Sequence, residues 1–331
     1  AEFDQGIYEC IGVPDYDFPE IPAERWYCTS AQCRVNALPA SLDDAAWALG
    51  LKNRKYAQGA DLIKLLSIPN ADGLFNEDPV KLKEMGEYCM QDVNVTVDIV
   101  NHTRLMTQNE HADWLKTCEI NERGIKVDTE LATLALQYAE AEQAEIAAKL
   151  LTLTEGAVER HTQNARIKTW LTARLGELHP VMQETHVYKG GELKISLDKN
   201  IRRNILSKIE TSMIEVDETV REVIQLLDDG NMSSVAKFKR MLERADPEDS
   251  RVRGAFMFAG ATQTLRYASR GVQVHNMKRD CWDADDAELM KYWMQEQSEF
   301  YDANGAELPV MDTLSKLLRP AIIPEEGNAL V

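Results

Sequence analysis

The sequence predicts a mixed α/β, multidomain protein. Its 331 residues exceed what one hydrophobic core usually serves, about 250–300 residues. The texture changes twice along the chain, from mixed to mostly helical near residue 107 and back to mixed near 250. Apolar residues are 44% and charged residues 28%, as in globular domains and unlike disordered or collagen-like chains. No stretch reaches the roughly 20 apolar residues of a membrane span. Ala1–Gly6 has neither a basic nor an apolar run, so no signal segment is expected in it.

The elements follow from local chemistry. Residues 1–40, with prolines at 14, 19, 22 and 39, read as irregular. Ser41 caps a short helix to Leu51, with Asp44 three residues on as in a capping box. Asp78-Pro79 starts a longer helix, an N-cap followed by proline at the first helical position, running to about Met106. Met85, Cys89, Val93, Val97 and Val100 give it an apolar stripe. Residues 120–128 form a turn with short extended arms, and Asp128 caps an Ala-rich helix over 129–152. Helices follow at about 162–175, 198–210, 215–228 and 233–244, with a loop or hairpin at Gly190-Gly191. After Arg251, the glycines at 254, 260 and 271 among alternating apolar residues indicate strands and tight turns. Residues 285–301 are helical again. The closing Gly327-Asn328-Ala329-Leu330-Val331 reads as a turn and half a strand, so the chain is expected to be an internal piece of something longer.

The six cysteines lack metal or redox spacing and read as free thiols of a reducing cytoplasm. Trp26, Trp47, Trp114 and Trp170 read as core or interface packing. The histidines show no metal spacing.

The formal charge of −18 argues against nucleic acid when averaged over the chain. Its distribution argues otherwise. Residues 160–208 hold ten Lys/Arg and four Asp/Glu, and 251–279 hold six Lys/Arg and no acid. Each window is +6, so the remainder carries −30. The acid-free window also holds Gln263, Thr264, Ser269, Gln273, His275 and Asn276, side chains suited to phosphate, sugar or base edges. A solvated basic face is the plain alternative.

Tyr88 and Asp92, four apart, share a helix face, and Asp4 lies near the N-terminus. Phosphodiester cleavage on two metals needs several carboxylates and a group orienting the attacking water. Asp92 and Asp4 could ligate metal and Tyr88 hold the water, although a Tyr and an Asp at this spacing are more often a surface pair.

The order of segments then resembles family A DNA polymerases, in particular short phage replicative ones. Gly254-Ala255, then Thr264-Leu265-Arg266, then Gln273-Val274-His275-Asn276-Met277-Lys278-Arg279 is similar to the Gly-Ala, Thr-Gly-Arg and Gln-x-Gln-Asn-x-Pro-Arg patterns leading into the palm. Leu265, His275 and Lys278 depart from Gly, Gln and Pro. Ala1-Glu2-Phe3-Asp4 resembles the tail of the second motif of a 3′–5′ proofreading exonuclease, and Tyr88-x-x-x-Asp92 its third. Trp26-Tyr27-Cys28-Thr29 and Leu38-Pro39-Ala40-Ser41-Leu42 match text common in phage members. Trp114 through Asp128 resembles the connector into the thumb, and Ser233-Ser234-Val235-Ala236-Lys237 a thumb Ser-x-x-Lys.

The resemblance implies three parts: 1–106, the C-terminal part of an RNase H-like exonuclease domain; 107–250, connector and mostly helical thumb; and 251–331, the N-terminal part of a polymerase palm. It implies two Mg²⁺ ions at Asp4 and Asp92, with Tyr88 positioning water. It implies DNA contacts from Thr264, Arg266, Gln273, His275, Asn276 and Arg279, with Lys237 as a thumb-phosphate candidate. The expected partners are primer–template, a single-stranded 3′ end, dNTP in the full-length enzyme, and a processivity factor or complementary polymerase half, in the cytoplasm of a phage-infected bacterium. A fragment without the polymerase carboxylates, and with an incomplete exonuclease site, should be inactive alone. The alternative is a non-catalytic DNA-binding half of a split polymerase. A bare exonuclease fits poorly, having no use for 251–279.

Overall fold

A computed structural model describes residues 2–54, 59–189, 192–231, 235–261 and 263–325. Helix α1 (Glu2–Ile7) passes through a π turn (Tyr8–Gly12) into α2 (Val13–Tyr16). Pro14 sits in the first turn of α2, where a missing N–H is no loss. A 3₁₀ turn (Ala23–Arg25) leads to α3 (Thr29–Val35), capped by the Cys28 Sγ, which accepts the Ala31 N–H at 3.4 Å. The irregular chain expected over 1–40 is therefore corrected: its prolines shorten and separate helices instead of abolishing them.

Helix α4 (Leu42–Ala48) starts on Ser41, whose Oγ accepts the Asp44 N–H at 3.2 Å. Helices α5 (Gly59–Ser67) and α6 (Pro79–His102) follow. Asp78 caps α6 through the Val80 N–H at 2.9 Å. Helix α7 (Gln108–Arg123) has a full capping box from Thr107 and Glu110 and stops at Gly124, φ +71°. Residues 120–123, expected in a turn, are thus its last turn; the extended arm is only β1 (Ile125–Lys126).

Helix α8 (Thr129–Leu153) begins on Asp128, which accepts the Leu131 N–H at 2.8 Å. Then come α9 (Asn164–Leu175), α10 (Pro180–Glu184), β2 (His186–Lys189), β3 (Glu192–Ile195), α11 (Lys199–Glu210), α12 (Glu218–Gly230) and α13 (Ala236–Arg244). The chain continues through β4 (Arg251–Val252), β5 (Phe256–Ala261), β6 (Arg266–Ser269), a 3₁₀ turn (Val274–Asn276), α14 (Ala284–Gln295) and α15 (Val310–Lys316). The helix expected over 285–301 ends six residues early, and Tyr301 instead bridges to Glu307. Strands β2 and β3 pair antiparallel with Lys189 opposite Glu192, as a hairpin requires. Gly190-Gly191, Ser233-Ser234 and the strand expected at 329–331 lie outside the described residues.

The chain divides into two compact units. One comprises Ala1–Gly124 and Arg253–Arg270, the other Ile125–Val252 and Gly271–Val331. The divisions fall at 124 and 252, and the segment 251–279 is shared between units, whereas the sequence texture changes near 107 and 250. The first unit has two clusters: Cys28, Ala31, Val35, Met106 and Trp114 with Phe258 and Ala259, and Cys33, Ala45, Ala46, Leu51, Val95 and Ile99. The second unit is built on α8, against which α12, α13, α14 and α15 pack. Its core includes Ile146, Leu150, Ile167, Leu171, Ile205, Ile224 and Leu227.

Two expectations about burial are corrected. The stripe Cys89, Val93 and Val97 of α6 is exposed, and the packed face is Tyr88, Val95 and Ile99. Trp47, expected in core or interface packing, is 72% exposed and so lies outside the core. Trp114 is buried and Trp170 packs on the second unit's core. Among the described residues no helix is long and apolar enough to cross a membrane, and the six cysteines are free thiols.

Candidate nucleic-acid interface

The antiparallel hairpin β5–β6 carries Thr264 and Arg266. Its register is Phe256↔Ser269, Met257↔Ala268 and Ala261↔Arg266, with an irregularity between Met257 and Ala261. Ala259 and Leu265 adopt left-handed backbone there, φ +49° and +52°. Leu265 thus accepts the conformation that glycine adopts without a Cβ penalty. Gly260 is required for a different reason, since a Cβ would stand 2.6 Å from Ala268 Cβ.

Asn121, near the end of α7, anchors the hairpin. Its Nδ2 donates to Phe256 O at 3.0 Å, and its Oδ1 accepts the Phe256 N–H at 2.8 Å. A side-chain amide thereby completes the hydrogen bonding of a strand residue, as a neighbouring strand would. The Thr117 and Tyr267 hydroxyls lie within hydrogen-bonding distance at 3.2 Å, and Phe258 meets Tyr267 edge-on at 6.1 Å. The base is fixed, while Gln263, Thr264 and Arg266 are exposed.

In the second unit, buried Val272 and Met277 seat a turn whose Gln273, His275 and Asn276 face solvent, followed by exposed Arg279. Gln273 is left-handed, φ +53°, and Asn276 N–H donates to Gln273 O at 3.0 Å. Lys237 of α13 reaches the same turn: its Nζ donates to Gln273 O at 3.3 Å and Asn276 O at 3.0 Å. Burial pulls this ammonium below the usual lysine range. Lys278, where the resembling pattern has Pro, pairs with Asp312 at 2.7 Å. The structure therefore brings Lys237 onto Gln273 and Asn276, a contact that a separation of 36 residues hides in the sequence.

The other basic window loses much of its surface charge to pairing. Arg166 meets Glu159 at 2.9 Å and Arg174 meets Asp217 at 3.0 Å. Buried Arg202 and exposed Arg203 share Asp228 at 3.2 and 3.1 Å. These three acids lie outside 160–208, so they offset about half of the +6 of the sequence in space. Lys168 Nζ and Arg202 Nη1 also cap the backbone carbonyls of Ile195 and Leu197, each at 2.5 Å.

Tyr88 and Asp92 do share a face of α6, one turn apart. Tyr88 is buried under Gly59 of α5, where a Cβ would come within 2.4 Å of the ring. Asp92 is half-buried, and its Oδ1 is buried without a hydrogen-bond partner. Such an atom is costly and calls for an explanation such as an ion or a functional role. Asp4 is exposed on α1. Among the described residues no three His, Cys, Asp or Glu groups gather to hold a metal ion.

No protein-family model matches the chain. It is 32% identical over 321 residues to a DNA polymerase of Bacillus phage SP02, an alignment covering 93% of this chain and 45% of that relative. The chain is similar to a phage DNA polymerase. It spans about half of that relative's length.

Proposed function

We propose that the chain is the primer–template-holding part of a template-directed DNA polymerase of family A, joined to a portion of an RNase H-like 3′–5′ proofreading exonuclease domain. One observation carries this: the acid-free segment 251–279 is displayed as an anchored hairpin and a held turn, with Arg266, Gln273, Asn276 and Arg279 exposed, in a chain similar to a phage DNA polymerase. The cations would hold backbone phosphate. Gln273, His275 and Asn276 would donate to minor-groove acceptors, which are similar for all base pairs and so permit holding without sequence preference. The reading further implies dNTP substrates, and a processivity factor or complementary polymerase half, in a phage-infected bacterial cytoplasm.

For the nuclease part, the resemblance assigns Asp4 and Asp92 to two Mg²⁺ ions and Tyr88 to the water. The partnerless Asp92 oxygen is the hard donor that Mg²⁺ prefers. The described residues do not complete a ligand set. This chain alone should lack nuclease activity on single-stranded DNA with Mg²⁺. Cleavage that disappears in Asp92→Asn would contradict that.

Fluorescence anisotropy with a primer–template duplex tests the holding function. About four phosphate contacts give a log–log salt slope of roughly −3.5, so affinity should fall about a hundredfold between 50 and 200 mM salt. Affinity independent of salt, or no binding at 50 mM, would overturn it.

A further inference from the structure

Lys237 and Arg244 are seven residues apart, so both project from one side of α13, beside the buried Phe238 and Met241. That side meets the two ends of the turn at 271–276. At its start, Arg244 lies against Gly271, where a Cβ would stand 2.7 Å from Nε; the glycine φ is +63°. At its end, the Lys237 ammonium bridges the Gln273 and Asn276 carbonyls. Left-handed Gln273 lies between these supports. A non-glycine residue in that conformation persists only where its surroundings hold it. An ammonium has three N–H donors, and two of those on Lys237 are engaged by carbonyls. Its lowered proton affinity through burial agrees with a group turned inward.

We propose that Lys237 is a positioning residue, whose ammonium fastens the Gln273–Asn276 turn and so sets how Gln273, His275 and Asn276 meet a DNA duplex, instead of itself holding a phosphate. This rests on the reading of that turn as a DNA contact. It makes the lysine's effect on binding indirect, which salt dependence can detect.

The test uses the whole chain and Lys237→Gln, whose side chain is too short to span both carbonyls. Without DNA, trypsin cleavage after Arg270 and Arg279 is followed by mass spectrometry, with thermal melting to verify folding. Loss of the paired charge-assisted bonds should open the turn and accelerate cleavage there by roughly tenfold. Unchanged cleavage would overturn the proposal. With primer–template, affinity should fall while the salt slope stays at the wild-type value, whereas Arg279→Gln should flatten the slope by about one. A slope flattened by about one in Lys237→Gln would identify a phosphate ligand and overturn the proposal. Should Lys237→Gln fail to fold, Lys237→Arg serves, because it keeps the charge but changes the reach. Weakened binding supports positioning, and binding as tight as wild type contradicts it. A wild-type chain that binds no duplex would refute the functional reading itself, while the cleavage arm would still decide whether Lys237 holds the turn.

Discussion

Replacing Asn121 by alanine tests how the hairpin is held. The side chain is 5% exposed and makes two bonds to one residue, Nδ2 to Phe256 O at 3.0 Å and Oδ1 from Phe256 N–H at 2.8 Å. Alanine would leave a partly buried donor and acceptor unpaired, at roughly 1–2 kcal/mol each, for a total of about 2–4 kcal/mol. With a urea m-value of about 2–3 kcal/mol/M, the first unfolding transition should move down by roughly 1 M. Asn121→Asp separates the two bonds: it keeps an acceptor for the Phe256 N–H but sets a carboxylate oxygen against the Phe256 carbonyl. At neutral pH it should cost about as much as alanine, and less once protonated. Duplex binding should weaken in both variants, because Thr264 and Arg266 ride on this hairpin. A transition midpoint for Asn121→Ala within about 0.2 M of wild type would refute the anchoring role.

Three other outcomes are expected. Asp92→Asn removes a charge whose Oδ1 is buried and unpartnered, so the chain should be stabilised by about 1 kcal/mol, read as a raised melting temperature; a lowered one would show that the carboxylate is already satisfied. Gly59→Ala places a Cβ 2.4 Å from the Tyr88 ring, so differential scanning calorimetry should show a loss of about 1–3 kcal/mol, and an unchanged profile would mean that α5 and α6 are not so closely packed. The Arg104 guanidinium, with help from Thr107, holds the Glu110 carboxyl down at about 2 despite some opposing desolvation. A depressed carboxylate stabilises the fold fully above its unfolded value near 4.5 and loses that contribution as pH falls toward about 2. The acid limb of stability over this window should therefore be shallower in Glu110→Gln, and an identical limb would exclude the pair as its source.

Much of the helical framework was legible because capping is local. Asp78, Asp128 and Ser41 each mark a helix start that the structure retains. The packed face of α6 was not legible, since Cys89, Val93 and Val97 compete with Tyr88, Val95 and Ile99, and periodicity cannot choose between two apolar faces. The prolines of 1–40 announced breaks correctly but not the short helices between them. At the site, the acid-free window was visible as composition. Its supports were not: Asn121 lies 135 residues from Phe256 and Lys237 lies 36 from Gln273. The charge of 160–208 misled for the same reason, because Asp217 and Asp228 come from beyond it.

The proposed function requires that 263–279 meet DNA. Hydrogen–deuterium exchange of the chain with and without a primer–template duplex, combined with ultraviolet cross-linking to the same duplex, measures this directly. Slowed exchange and cross-linked peptides spanning Thr264–Ser269 and Gln273–Arg279 are the predicted result. Protection absent from those peptides and confined to 160–208 would contradict it.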